Sequence, residues 1–102
     1  MIYRSKAPLR IGLAGGGTDV SPYSDQFGGA ILNASISLSA YATIEPLSEK
    51  KIIIQAYDRN EKQEFDLQPS LPVDGTLDLL KAVYNRIQKD NAFDLHGFRL
   101  ST

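Results

Sequence analysis

Between Leu32 and Ile44 apolar and polar residues alternate almost without a break, and no other stretch constrains the fold as strongly. Leu32, Ala34, Ile36, Leu38, Ala40, Ala42 and Ile44 fall on one side; Asn33, Ser35, Ser37, Ser39, Tyr41 and Thr43 fall on the other. Successive side chains of an extended chain point to opposite faces, so a period of two predicts a β-strand with one face on a core. At the usual rise such a strand would be roughly 40 Å long, which predicts a bend or bulge near residues 37–40.

The segments around it extend the pattern. Residues 2–7 and 9–13 predict two short strands, with a break or bulge at Pro8, which has no amide donor for a ladder. Residues 20–27 predict a short helix with Ser21 as N-cap, Pro22 in the first helical position and Gly28-Gly29 as its stop. Tyr23 and Phe27 would form its buried face. Residues 51–57 and 62–67 bracket Asp58-Arg59-Asn60-Glu61, a hairpin whose turn Asp58 and Asn60 favour. Residues 68–75, with two prolines, read as a loop. Leu77, Leu80, Val83 or Tyr84, and Ile87 repeat at helical spacing, predicting a helix over 76–91 with Asp74 or Thr76 at its start and Lys89 near its end. Residues 93–102 alternate again and predict a strand. The expected class is α+β: a mixed, mostly antiparallel sheet with helices on one face, the 76–91 helix lying on the alternating apolar face.

The bulk properties exclude more than they assign. A chain of 102 residues is expected to form one domain with a modest core. A net charge of −1 offers no electrostatic footprint for nucleic acid or an anionic membrane. Cysteine is absent and His96 is the single histidine, so no thiolate chemistry and no site with two imidazoles can come from these residues. There is no apolar run of membrane-spanning length, and a cytoplasmic location is the default expectation.

Chemistry concentrates in Gly15-Gly16-Gly17-Thr18-Asp19, directly after the apolar Ile11-Gly12-Leu13. Three consecutive glycines are costly in chain entropy unless the backbone must turn sharply or approach a ligand closely. The hydroxyl of Thr18 and the carboxylate of Asp19 suit recognition of a polyhydroxylated molecule. The competing reading is a structural turn in which Asp19 caps the following helix. Arg10 serves equally well as an ion-pair partner or a substrate contact. The serines at 35, 37 and 39 read as a solvated strand face, and His96 as a surface or packing residue. Asp58, Glu61, Glu64 and Asp66 show no metal-ligand spacing.

Residues 6–20, with Ala7-Pro8-Leu9-Arg10 leading into the glycine run, are followed by Tyr23 and by Gly28-Gly29-Ala30-Ile31-Leu32-Asn33. This arrangement resembles the first motif of the GHMP kinases, which include galactokinase, homoserine kinase and mevalonate kinase. The Gly-Gly-Gly-Thr-Asp form resembles the sugar 1-kinase branch, with its heptose phosphate and fucose kinases. The resemblance implies ATP- and Mg2+-dependent phosphorylation of the anomeric hydroxyl of a sugar phosphate, D-glycero-D-manno-heptose 7-phosphate or a related sugar. Asp19 would then hydrogen-bond sugar hydroxyls, while Gly16, Gly17 and Thr18 let the backbone close on the sugar. Arg10 would brace the loop or face an anionic group, and Asn33 would border the nucleotide.

The family's second motif, Pro-x-x-x-Gly-Leu-x-Ser-Ser, is not among these residues, nor is its later catalytic aspartate. The resemblance therefore implies that residues 1–102 are a partial N-terminal domain of such a kinase. Alone, this fragment is expected to be inactive, to bind no nucleotide tightly and to self-associate through exposed apolar surface. The alternative is a non-catalytic α+β assembly domain with a structural glycine loop.

Overall fold

The strand Lys51–Ala56 (β3) carries the centre of the fold. Ile52, Ile53 and Ile54 are all buried, as befits a strand paired on both edges and covered on both faces. A computed structural model describes residues 1–91 and 94–102. With β3 they form the strands β1 (Tyr3–Ala14), β2 (Leu32–Pro46), β4 (Glu61–Asp66) and β5 (Phe98–Ser101), and the helices α1 (Tyr23–Phe27) and α2 (Asp78–Asn91). The strand order is β1-β2-β5-β3-β4. β3 runs antiparallel to β4 and parallel to β5, while β5 runs antiparallel to β2, so the sheet is mixed and the class α+β. The chain divides into two compact units, residues 6–40 and residues 1–5 with 41–102.

The second unit holds every fully buried side chain. Ile52, Ile54, Ala56, Leu71 and Leu77 form its core, flanked by Phe65, Leu67, Leu80, Tyr84 and Phe98. The predicted hairpin is present with its turn one residue earlier, at 57–60: Glu61 opens β4 and pairs with Ala56, and Asn60 takes the left-handed conformation (φ 52°) that its side chain tolerates. Helix α2 lies against this core through Leu80 and Tyr84, and the Tyr84 and Phe98 rings sit 5.6 Å apart. It begins at Asp78 rather than at 76, because Gly75 (φ 95°) and Leu77 (φ 55°) are both left-handed. That conformation places the Leu77 side chain in the core. The Asp78 carboxylate receives the Gly75 amide at 2.9 Å and the Asp74 amide at 3.1 Å.

Lys81 is the exception within the core, a fully buried ammonium-bearing side chain. Its Nζ lies 2.5 Å from Asp74 Oδ1, 3.0 Å from Gln63 Oε1 and 3.5 Å from Asp78 Oδ1. A buried charge survives only when paired and hydrogen-bonded. Lys81 thereby ties α2 to β4 and to the loop before the helix.

Several expectations are corrected. Pro8 does not interrupt β1, which runs unbroken from Tyr3 to Ala14. β1 is an edge strand, where a residue without an amide donor is tolerated. β2 runs from Leu32 to Pro46 and includes residues 37–40, where a bend or bulge is expected. Its apolar side does not rest on a core within residues 6–40: Leu32 and Leu38 are 60% and 64% exposed, and no residue of that unit is buried. Pro22, not Ser21, stands at the N-cap of α1, and the Ser21 hydroxyl bonds the Asp25 carboxylate instead. Tyr23 and Phe27 pair with ring centroids 5.1 Å apart yet stay exposed, since a helix of five residues has nothing in its unit to bury them against. The last strand spans only Phe98–Ser101, and Phe93 lies outside the described residues.

The hydrogen bond from Lys81, and then that from the Thr76 amide, hold the Asp74 carboxyl below its ordinary range. A depressed folded-state pKa contributes stability above the ordinary aspartate value, and that contribution is lost as pH falls through the depressed one. Asp74→Asn will therefore lower the urea midpoint at neutral pH. Under acid conditions that protonate Asp74 even in the folded chain, the midpoints of the variant and the unaltered chain will converge.

Candidate functional site

The glycine run takes its shape from two places where backbones approach closely. β1 ends at Ala14; Gly15 turns left-handed (φ 84°), and Gly16–Thr18 form a single 3-10 turn that ends at Asp19. The Thr18 amide closes the turn on the Gly15 carbonyl at 2.9 Å. A Cβ on Gly15 would stand 2.0 Å from the Ala30 carbonyl oxygen, and one on Gly29 would stand 2.3 Å from that of Thr18. No real side chain fits at either position.

The Thr18 hydroxyl joins the two segments. It lies 2.8 Å from the Gly15 carbonyl oxygen and 3.0 Å from that of Ala30, and accepts the Ala30 amide at 3.0 Å. Gly28 stops α1 as predicted, with φ 72° and its amide on the Ser24 carbonyl at 3.0 Å. The role of Gly29 and Ala30 in shaping the loop was not predicted. A pair of glycines after a helix reads as its stop signal, and nothing local distinguishes the glycine required by a contact eleven residues away.

Gly16 and Gly17 are different. Nothing lies within 4 Å of a Cβ built on either, and neither has a positive φ, so the fold itself does not demand glycine there. Asp19 is exposed, and no side-chain hydrogen bond caps α1, which removes the helix-capping reading. Asn33, the second residue of β2, is exposed three residues beyond Ala30. Arg10 is exposed on β1, and no ion pair engages it among the described residues. At strand rise it stands about 13 Å along the chain before Ala14. The structure thus joins Gly15 to Thr18 with residues 29–30, and leaves Arg10 some way along the strand.

No cluster of three or more potential metal ligands occurs among the described residues. No helix among them is long and apolar enough to cross a membrane. His96 is exposed at the rim of an apolar groove of about 410 Å³ in the 41–102 unit, between α2 and β5.

No family model matches the chain. It is 43% identical over 100 residues to the D-glycero-alpha-D-manno-heptose 7-phosphate kinase of Campylobacter jejuni, covering 93% of this chain and 30% of that protein. A crystal structure of a D-glycero-D-manno-heptose 1-phosphate kinase from Bacteroides thetaiotaomicron is 50% identical with a TM-score of 0.90, covering 99% of this chain and 33% of that one. Galactokinase from Lactococcus lactis, solved with galactose, shares the fold at 24% identity and a TM-score of 0.64, covering 98% of this chain and 25% of its own. The chain spans about a third of the length of the heptose kinases it matches. In sequence and fold it corresponds to the N-terminal part of a GHMP kinase, on the side of the heptose phosphate kinases.

Proposed function

We propose that residues 1–102 form the sugar-side portion of an ATP-dependent kinase acting on the anomeric hydroxyl of D-glycero-D-manno-heptose 7-phosphate. The observation that carries this reading is the unexplained half of the glycine run. Gly15 and Gly29 are required by the fold, whereas Gly16, Gly17 and the exposed Asp19 present bare backbone and a carboxylate to open space. A carboxylate accepts hydrogen bonds from adjacent sugar hydroxyls, and residues without a Cβ let a sugar ring come close to the turn. The names of both heptose kinases agree on the sugar and differ on the phosphate position. A sugar that carries phosphate at C7 and receives another at C1 accommodates both.

Phosphoryl transfer relies on positioning and on charge stabilisation around the β- and γ-phosphates, which ATP kinases supply with backbone amides and Mg2+. The residues present do not fit that task. They include no Gly-Leu-x-Ser-Ser motif and, where described, no metal-ligand cluster. Asn33 is the one proposed contact toward the nucleotide. The domain assignment follows: a partial N-terminal domain, inactive alone, with sugar phosphate as its partner.

Titration of heptose 7-phosphate and of ATP into the chain tests this reading. Weak binding of the sugar phosphate and none of ATP is expected, with Asp19→Ala reducing sugar affinity at least roughly tenfold, about the worth of one charge-assisted hydrogen bond. Gly16→Ala and Gly17→Ala should also impair binding while keeping the melting temperature. Gly15→Ala should lower stability by about 1–3 kcal/mol, because it adds a backbone clash to a left-handed φ. Absence of any sugar binding by the folded chain defeats the proposal.

One observation favours self-assembly as an added property. Leu9, Ile11, Leu13, Leu32 and Leu38 are all more than 40% exposed. Large apolar exposure on an edge strand and its neighbour favours association of chains. Sedimentation should show a dimer or higher oligomer, and a monomer at high concentration argues against it.

A further inference from the structure

We infer that Thr18, Gly29 and Ala30 are positioning residues, forming a clamp that holds Gly16, Gly17 and Asp19 in one geometry, with the Thr18 side chain acting on the chain rather than on a ligand. The functional half of this inference rests on the sugar-side reading above. Its structural half does not.

The hydrogen-bonding capacity of Thr18 is the starting point. A threonine hydroxyl has one proton to donate and two lone pairs. Here the lone pairs receive the Ala30 amide at 3.0 Å, and the proton has two carbonyls within reach, Gly15 at 2.8 Å and Ala30 at 3.0 Å. The Gly15 carbonyl already accepts the Thr18 amide at 2.9 Å. Donation to Ala30 would therefore satisfy both polar backbone groups of that residue from a single side-chain atom. Either choice consumes the proton within the chain, leaving a sugar at most one lone pair.

The steric contacts are reciprocal. The absent Cβ of Gly15 makes room for the Ala30 carbonyl, and the absent Cβ of Gly29 makes room for the Thr18 carbonyl. Each segment thus supplies one glycine and one carbonyl, and Thr18 joins the pair. Between them, residues 19–28 make an excursion through α1 and return, so the clamp closes the neck of that excursion. Asp19 is the first residue beyond the neck. Its backbone direction is set where the neck is held, although its own carboxylate makes no hydrogen bond or ion pair among the described residues.

Loss of the hydroxyl should be felt locally. Both Thr18–Ala30 hydrogen bonds lie at exposed positions. Water can replace them, while the buried core belongs to the 41–102 unit. Thr18→Val retains the branched shape and removes the hydroxyl; Thr18→Ser retains the hydroxyl.

Amide hydrogen exchange and chemical shifts, measured by NMR on the ligand-free chain, supply a readout independent of catalysis. In the unaltered chain the Ala30 amide should be protected. Thr18→Val should accelerate its exchange by roughly tenfold, the equivalent of one ordinary hydrogen bond, and shift the Gly16, Gly17 and Asp19 amide resonances. The same variant should weaken heptose 7-phosphate binding by about the same factor, since loop geometry is lost before binding. Thr18→Ser should restore all three, and Gly29→Ala should reproduce the loop shifts with the hydroxyl intact. An unprotected Ala30 amide in the unaltered chain overturns the clamp, and that measurement needs no variant to fold. Weakened sugar binding by Thr18→Val with unmoved loop resonances would place the hydroxyl on the ligand and overturn the positioning role. Failure of the unaltered chain to bind the sugar phosphate, with the exchange pattern as expected, defeats the sugar-side reading while supporting the clamp.

Discussion

The crossing of two backbone segments at Gly15 and Gly29 is the constraint on which the candidate site depends. Each carbonyl occupies the position where the facing residue would carry its Cβ. Such contacts permit no side chain, and their cost in chain entropy is accepted because the Thr18 hydroxyl fastens the crossing from within. Gly16, Gly17 and Asp19 inherit their exposure from this arrangement. They lie on a turn hydrogen-bonded at its base through Thr18 and bare at its tip.

Stability is concentrated elsewhere. The isoleucines of β3, with Leu71 and Leu77, supply the buried apolar surface, and Lys81 adds a charge enclosed among them. A buried ammonium group fixes which loop and which strand α2 must meet, because its partners Asp74 and Gln63 come from different segments. Apolar packing alone has no such directionality. Within residues 6–40, by contrast, hydrogen bonds and close backbone contacts define the loop while no residue is buried. A substitution in the 41–102 core should therefore register first in global stability, and one in the glycine loop first in local geometry.

Legibility in the sequence followed the range of each interaction. The hairpin of β3 and β4 is readable because two neighbouring strand-forming runs flank polar turn residues, although its turn lies one residue earlier than expected, and α2 is readable because its apolar spacing is local. The start of α2 was not: burial of Leu77 and the carboxylates of Asp74 and Asp78 outweigh the helical pattern at 76–77. Pro8 suggests a break or bulge because edge position is a property of the whole sheet, invisible to a local rule. Tyr23 and Phe27 suggest the buried face of a short helix, and the surface such a helix meets cannot be read from its own residues. In the loop, the glycine run was legible and the Thr18–Ala30 partnership was not, since it spans twelve positions without periodicity.

A glycine-rich turn followed by a helix has two physical readings, and its polar residues discriminate between them. A phosphate cradle uses consecutive amides at the start of a sustained helix, where the dipole and commonly a lysine favour negative charge. Here the turn ends in Asp19, α1 has five residues, and the residue before it is a proline without an amide donor. A carboxylate at the mouth of the turn repels phosphate and accepts hydrogen bonds from neutral hydroxyls. The exposed Asp19, which does not cap α1, therefore supports the proposed sugar reading that Thr18 and Asp19 already suggest in the sequence. The deciding feature is the sign of the charge beside the bare backbone.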